Sequence, residues 1–202
     1  MPLTRKPEIL VAILALTLTL TPAIAQSTPP PIRDDDAARL DVLNESLGQA
    51  LRQAFAGGEK GELAVLAEAL RGTALPLDEA QAALTGDWNC RVIKLGRSLP
   101  IVAYPEFRCR ADGSAFEKLT GSQRTKGEVH EYDGQLIYLG TGFVAGEVPA
   151  DYADLPPETD PQSTPQFMPE VGLVEMTSPR AGRIIFPRPH LESETDLLVL
   201  TR

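Results

Sequence analysis

The sequence predicts an antiparallel α+β fold, either a strongly curved sheet or a small up-and-down β-barrel of about eight strands behind an N-terminal helical segment. Three observations carry this expectation. Apolar residues recur every three or four positions between Leu40 and Leu84, the period changes to two from Trp88 onward, and short turn signals separate the later segments. Short connections imply antiparallel neighbours, because parallel pairing needs a long crossover.

Residues 1–25 read as a secretory signal peptide. Arg5 and Lys6 precede an apolar core from Ile9 to Leu20, and Ala23-Ile24-Ala25 is a small-x-small cleavage site. The apolar run is too short to span a bilayer comfortably, so no membrane span is expected after cleavage and the location is periplasmic or secreted. Loss of Arg5, Lys6 and Glu8 leaves 17 basic and 27 acidic side chains, a formal net charge of −10. That balance excludes nucleic acid as a partner, since the phosphate backbone calls for a basic face.

Residues 26–33 form a proline-rich tether, because proline fixes φ and donates no hydrogen bond. The helical segment spans 34–85. Asp34, Asp35 and Asp36 offer helix N-caps and first-turn acids, and Leu40, Leu43, Leu47, Ala50, Leu51, Ala54 and Phe55 share one helix face that ends at Gly57-Gly58. Further helices are expected over 62–70 and 77–84. The β domain covers 86–202, with strands near 88–95, 101–110, 115–120, 124–131, 136–144, 171–177, 183–187 and 196–201. Asp112-Gly113 and Asp133-Gly134 are hairpin signals. Between 149 and 169 six prolines and no hydrophobic period leave two readings, a functional lid or a disordered segment, and the acidic, proline-rich composition favours disorder.

Cys90 and Cys109 are the only cysteines, and an even count in an exported chain implies a disulfide. Direct opposition would centre the hairpin between Leu99 and Pro100. Trp88, Cys90 and Val92 would then share an apolar face with Ile101, Ala103, Phe107 and Cys109. The opposite face carries Arg91, Tyr104, Arg108 and Arg110, followed beyond the next turns by Lys118, Gln123 and Arg124. Several cations near one surface can grip a carboxylate or phosphate by bidentate hydrogen bonds, which makes these seven residues the candidate ligand site. The plainer account is a solvated sheet face on which Arg108 pairs across the hairpin with Glu117.

Catalytic templates are weaker. His130 and His190 are the only histidines, Gly96-Arg97-Ser98 sits in a turn unlike a nucleophile elbow, and Gly140-Thr141-Gly142 lacks dinucleotide spacing. Asp34 to Asp36 lacks the alternation of a calcium loop. No catalytic residue, cofactor or metal ligand is therefore assigned. Glu117, Glu128 and Glu131 remain as carboxylates for the competing reading, a cell-envelope hydrolase.

From Gly86-Asp87-Trp88-Asn89-Cys90-Arg91 through Phe107-Arg108-Cys109-Arg110, Leu119-Thr120-Gly121-Ser122-Gln123-Arg124 and Phe186-Pro187-Arg188-Pro189-His190, the chain resembles the bacterial domain-of-unknown-function family DUF4893. That resemblance implies a small exported protein and carries no activity or ligand with it. Leu84-Thr85-Gly86-Asp87-Trp88 is more weakly similar to the start of lipocalin-like barrels, which implies Trp88 plugging one barrel end. Taken together, the reading is a non-enzymatic periplasmic binding or interaction domain. Its partner classes are a small anionic ligand and a periplasmic protein.

Overall fold

The computed structural model describes residues 30–202; the signal-peptide assignment and the first tether residues lie outside them. Four helices precede the strands: α1 (Asp34–Asp41), α2 (Leu43–Gly57), α3 (Lys60–Ala69) and α4 (Leu77–Leu84). The single amphipathic helix expected from residue 34 to 57 is broken at Val42, whose φ of −102° and ψ of 14° leave the helical path. Arg33, not an aspartate, is the N-cap of α1, and the three aspartates fill its first turn where they face the positive end of the helix dipole.

Eight strands follow in meander order and close on themselves: β1 (Gly86–Leu95), β2 (Ile101–Asp112), β3 (Ala115–Lys118), β4 (Gln123–Tyr132), β5 (Gln135–Val144), β6 (Met168–Ser178), β7 (Ala181–Pro187) and β8 (Thr195–Thr201). All eight pairings are antiparallel, with β8 returning to β1. Closure leaves no edge strand to pair with another chain. At one end the connections are two-residue turns, and in the β4–β5 turn both Asp133 (φ 48°) and Gly134 (φ 71°) take the left-handed conformation a tight hairpin needs. The longer connections all lie at the other end.

Period-two patterning divides each strand between the barrel lumen and an outer wall. Trp88, Phe116, Tyr138, Met176, Ile184 and Leu200 fill the lumen, and α4 seals its short-turn end with Ala80, Ala83 and Leu84. Tyr138 sits edge-on between Phe116 and Phe186, with ring centroids at 5.6 and 5.9 Å. The outer residues Ile93, Leu95, Ile101, Ile185 and Leu197 are covered by α2 and α3. Arg183 ties that layer down by donating to the carbonyls of Ala69, Arg71 and Gly72, the otherwise unsatisfied end of α3.

The Cys90–Cys109 disulfide is present, with Cα atoms 5.9 Å apart. It links diagonal neighbours: Trp88 faces Cys109 and Cys90 faces Phe107. The register shifts between Arg91 and Ile93, where β2 spends an extra residue against β1. That bulge corrects the predicted face. Phe107 and Cys109 point into the lumen, whereas Ile101 and Ala103, on the far side of the bulge, belong to the outer layer under the helices.

The proline-rich stretch is also corrected. It packs as a strap against the outer wall of β5 and β6, where Tyr152 and Leu155 bury themselves on Ile137, Leu139 and Val171. Arg33 donates to the carbonyls of Pro156 and Pro157, the Tyr152 hydroxyl donates to the buried Asp36 carboxylate, and Thr141 Oγ1 donates to Ala150 O at 2.8 Å. A few well-placed apolar side chains and hydrogen bonds to α1 thus order a segment whose average composition predicts disorder.

Candidate functional site

The long-loop end of the barrel is open. A cavity of about 190 Å³ enters the lumen there, between Phe107, Phe143, Phe186 and Leu198 on its apolar side and a ring of charged groups at its rim. An engineered apolar cavity of about 150 Å³ accommodates benzene, so the space suits a small organic molecule.

Each inward-facing run starts apolar at the sealed end and turns polar at the mouth. On β1 the run is Trp88, Cys90, Val92, Lys94; on β6, read from its far end, it is Met176, Val174, Gly172, Glu170; on β8 it is Leu200, Leu198, Asp196. Phe116 is followed by Lys118 on β3 in the same way. Gly142 on β5 makes room for the carboxyl of Glu170, since a Cβ there would stand 2.6 Å from Glu170 Oε1.

The charges are not paired off across the space. Lys118 Nζ lies 3.9 Å from the centroid of the Phe107 ring and donates to the carbonyls of Thr120 (2.9 Å) and Gln123. Arg124 Nε donates to Gly121 O at 3.1 Å. Neither cation has a carboxylate partner within 4 Å among the described residues. Lys94, by contrast, donates to Glu192 Oε2 (2.5 Å) and Gln123 Oε1 (3.0 Å). Asp196 accepts from Ser193 Oγ at 2.5 Å.

Enclosure shifts the affinities of these groups for protons. Burial, reinforced by the charge of Asp196, pushes the Glu170 carboxyl up to about 7, although Thr125 hydroxyl, Arg39 and Lys94 oppose the rise. Burial likewise lifts Asp196 to about 6 against its bond from Ser193 and the nearby Lys94. Lys118 is pulled down to about 8, mainly by burial, with Glu170 working the other way. Burial also works against the charge on Lys94, but the bond to Glu192 and the charge of Asp196 outweigh it and hold that lysine above its usual range. Both carboxyls keep some exposure and line the pocket.

Of the seven predicted ligand residues, the structure brings Tyr104, Lys118, Gln123 and Arg124 to the mouth. The other three lie on the outer wall. Arg91 meets Glu106 at 3.4 Å, Arg108 donates to Asn89 Oδ1 at 3.0 Å rather than meeting Glu117, and Arg110 donates to Asp87 Oδ1 at 2.7 Å. The β2 bulge separates the two groups, because it turns Tyr104 toward the mouth while Arg108 and Arg110 stay outside. Glu128 and Glu131 are exposed and lie outside the pocket lining, and Glu117 lies opposite Lys126.

Lys94, Glu170 and Asp196 were not singled out from the sequence. Their signal was available: each is the charged residue that ends an alternating apolar run. Away from the mouth, Asp35, Asp36 and His190 each bring a ligand atom within 4.8 Å of the others. Asp36, however, is already engaged by Arg39 and by the Tyr152 hydroxyl.

No helix among the described residues is long and apolar enough to cross a membrane. Together with the disulfide this is compatible with a periplasmic or secreted protein. No curated protein and no solved structure matches the chain. The profile of one family, described as Domain of unknown function (DUF4893), matches residues 30–200, which takes in all four helices, all of the barrel but the last residue of β8, and every residue of the mouth, and the chain therefore belongs to that family.

Proposed function

We propose that the protein is an exported, non-enzymatic binding protein that holds a small anionic molecule with an apolar body in the mouth of its barrel. One observation carries the reading: Arg124 and Lys118, two cations without a carboxylate partner among the described residues, stand at the rim of a cavity lined by Phe107, Phe143 and Phe186. A half-buried guanidinium such as that of Arg124, bonded within the described residues only through Nε, can receive a carboxylate or phosphate in bidentate fashion. The apolar wall below supplies burial for the rest of the ligand. The one-ended barrel with Trp88 at its floor also supports the lipocalin-like comparison, and the sequence of residues 1–25 together with the disulfide supports export.

Native mass spectrometry of the mature protein, purified gently from its own periplasm, tests this. A co-purifying small anion that is lost in Arg124→Ala supports the carrier or sensor role. A protein adduct with no small mass would replace it with an interaction module.

A second reading rests on a separate observation. Glu170 and Asp196 face one pocket with proton affinities near neutrality, the condition for acid and base roles in a hydrolase using paired carboxylates. Turnover of cell-envelope oligosaccharides, abolished separately by Glu170→Gln and Asp196→Asn, would establish that reading in place of the first.

A further inference from the structure

The mouth presents opposite chemistry on its two walls. Lys118 on β3 and Arg124 on β4 form the cationic wall, and Glu170 on β6 with Asp196 on β8 forms the other. In an eight-strand meander these strand pairs lie on different sides of the lumen. No ion pair within 4 Å crosses between them among the described residues.

Glu170 differs from the other acids of the mouth. Asp196 is held by Ser193, and Glu192 by Lys94, whereas Glu170 has no cation within 4 Å among the described residues. The Thr125 hydroxyl, which shares a hydrogen bond with the Tyr138 hydroxyl at 2.6 Å, favours the Glu170 carboxylate but brings no positive charge to it. Gly142 lets the Glu170 carboxyl sit at this place, since a Cβ there would stand 2.6 Å from Glu170 Oε1. A carboxyl kept in such surroundings is costly unless something else satisfies it.

We infer that the ligand is amphoteric, with an anionic group held by Arg124 and Lys118 and an ammonium group, a few bonds away, held by Glu170. The apolar body then rests against Phe107 and Phe186. This rests on the binding-protein reading and deepens it by naming the class: an amino-acid-like zwitterion with an apolar side chain. A ligand ammonium supplies the positive partner Glu170 lacks, and a charge-assisted hydrogen bond in an enclosed site favours the zwitterion over a plain acid by about tenfold or more.

Isothermal titration at pH 7.5 with three matched probes tests this: L-phenylalanine, 3-phenylpropionate, which lacks the amine, and 2-phenylethylamine, which lacks the carboxylate. Phenylalanine is expected to bind about tenfold more tightly than either analogue. Glu170→Gln should reduce its affinity to that of 3-phenylpropionate while leaving the acid's own affinity unchanged, which doubles as proof that the variant is folded. Gly142→Ala, which displaces the Glu170 carboxyl without removing it, should weaken phenylalanine binding selectively as well. If 3-phenylpropionate binds as well as phenylalanine, or if Glu170→Gln keeps the preference, the amphoteric assignment is wrong, and loss of acid binding in Arg124→Ala would leave the anionic site standing. If neither carboxylate binds at millimolar concentration, the anionic site and this inference fail together.

Discussion

The two ends of the barrel are built from the same strands on opposite principles. At the sealed end no buried side-chain polar atom among the described residues lacks a hydrogen-bond partner. Trp88 is fully buried and donates its indole N–H to Leu84 O at 2.7 Å, while the Arg202 guanidinium lies 4.1 Å from its ring and donates to the carbonyls of Ala83, Thr85 and Pro179. At the mouth, Glu170 and Lys118 are enclosed with no ion pair within 4 Å among the described residues, and burial moves their proton affinities toward neutrality. The first arrangement maximises stability. The second gives stability up, the trade that the proposed binding role calls for.

The contrast gives substitutions of opposite sign. Trp88→Ala should be the most damaging, at about 4 kcal/mol, because it opens a cavity against α4 and orphans the carbonyl of Leu84; urea unfolding measures it, and a loss under 1 kcal/mol would break the comparison at the sealed end. Replacing both Cys90 and Cys109 by alanine frees a loop with a sequence separation of 19, at a cost of about 3 kcal/mol in the same assay.

Glu170→Gln should act the other way. The carboxyl's pKa is raised in the folded state from 4.5 to about 7, so the folded protein holds a proton that the unfolded chain releases across that interval. Its penalty is absent below about pH 4.5, grows as pH rises and is complete above 7. The glutamine variant is therefore expected to gain about 2 kcal/mol over the parent at pH 7.5, and its gain should vanish near pH 4.5. A variant less stable than the parent at pH 7.5 would show that Glu170 is a structural group like those at the sealed end.

Lys118 carries the mirror-image signature. Its pKa falls from 10.5 to about 8, so its share of stability should rise as pH climbs from 8 to 10.5, and Lys118→Met should lose that dependence. The smallest effect is expected for Arg124→Ala. Its one hydrogen bond to Gly121 O is worth about 1 kcal/mol or less, so the thermal transition should barely move while anion binding is lost. A large fall in stability would sharpen the comparison by moving Arg124 to the structural side.

Much of the fold was legible because its signals are local. The change of hydrophobic period at Trp88, the Asp-Gly turns and the alternation along each strand come from the backbone geometry of helices and strands, and they place all eight strands and the helices over 60–69 and 77–84. Reading an alternating run across a bulge is where local reasoning failed. The residue that flips the face of β2 near Pro105 looks like any other in the sequence, and it sent Arg108 and Arg110 to the outer wall while Tyr104 went to the mouth. The strap failed for a different reason: composition averages over a segment, whereas Tyr152 and Leu155 alone find buried contacts.

Residue order thus settles which stretches become helix or strand, where the disulfide can form, and which face of an unbulged strand is apolar, since each depends on interactions within a few positions or on a single pair of thiols. Closure of the sheet, the sealed and open ends, and the meeting of Lys118 and Arg124 with Glu170 and Asp196 depend on strands up to about 80 positions apart coming round to face one another. A charge that ends an apolar run is only a charge in the sequence. When the barrel closes it becomes an enclosed group at a pocket mouth, which is what the proposed binding role draws on.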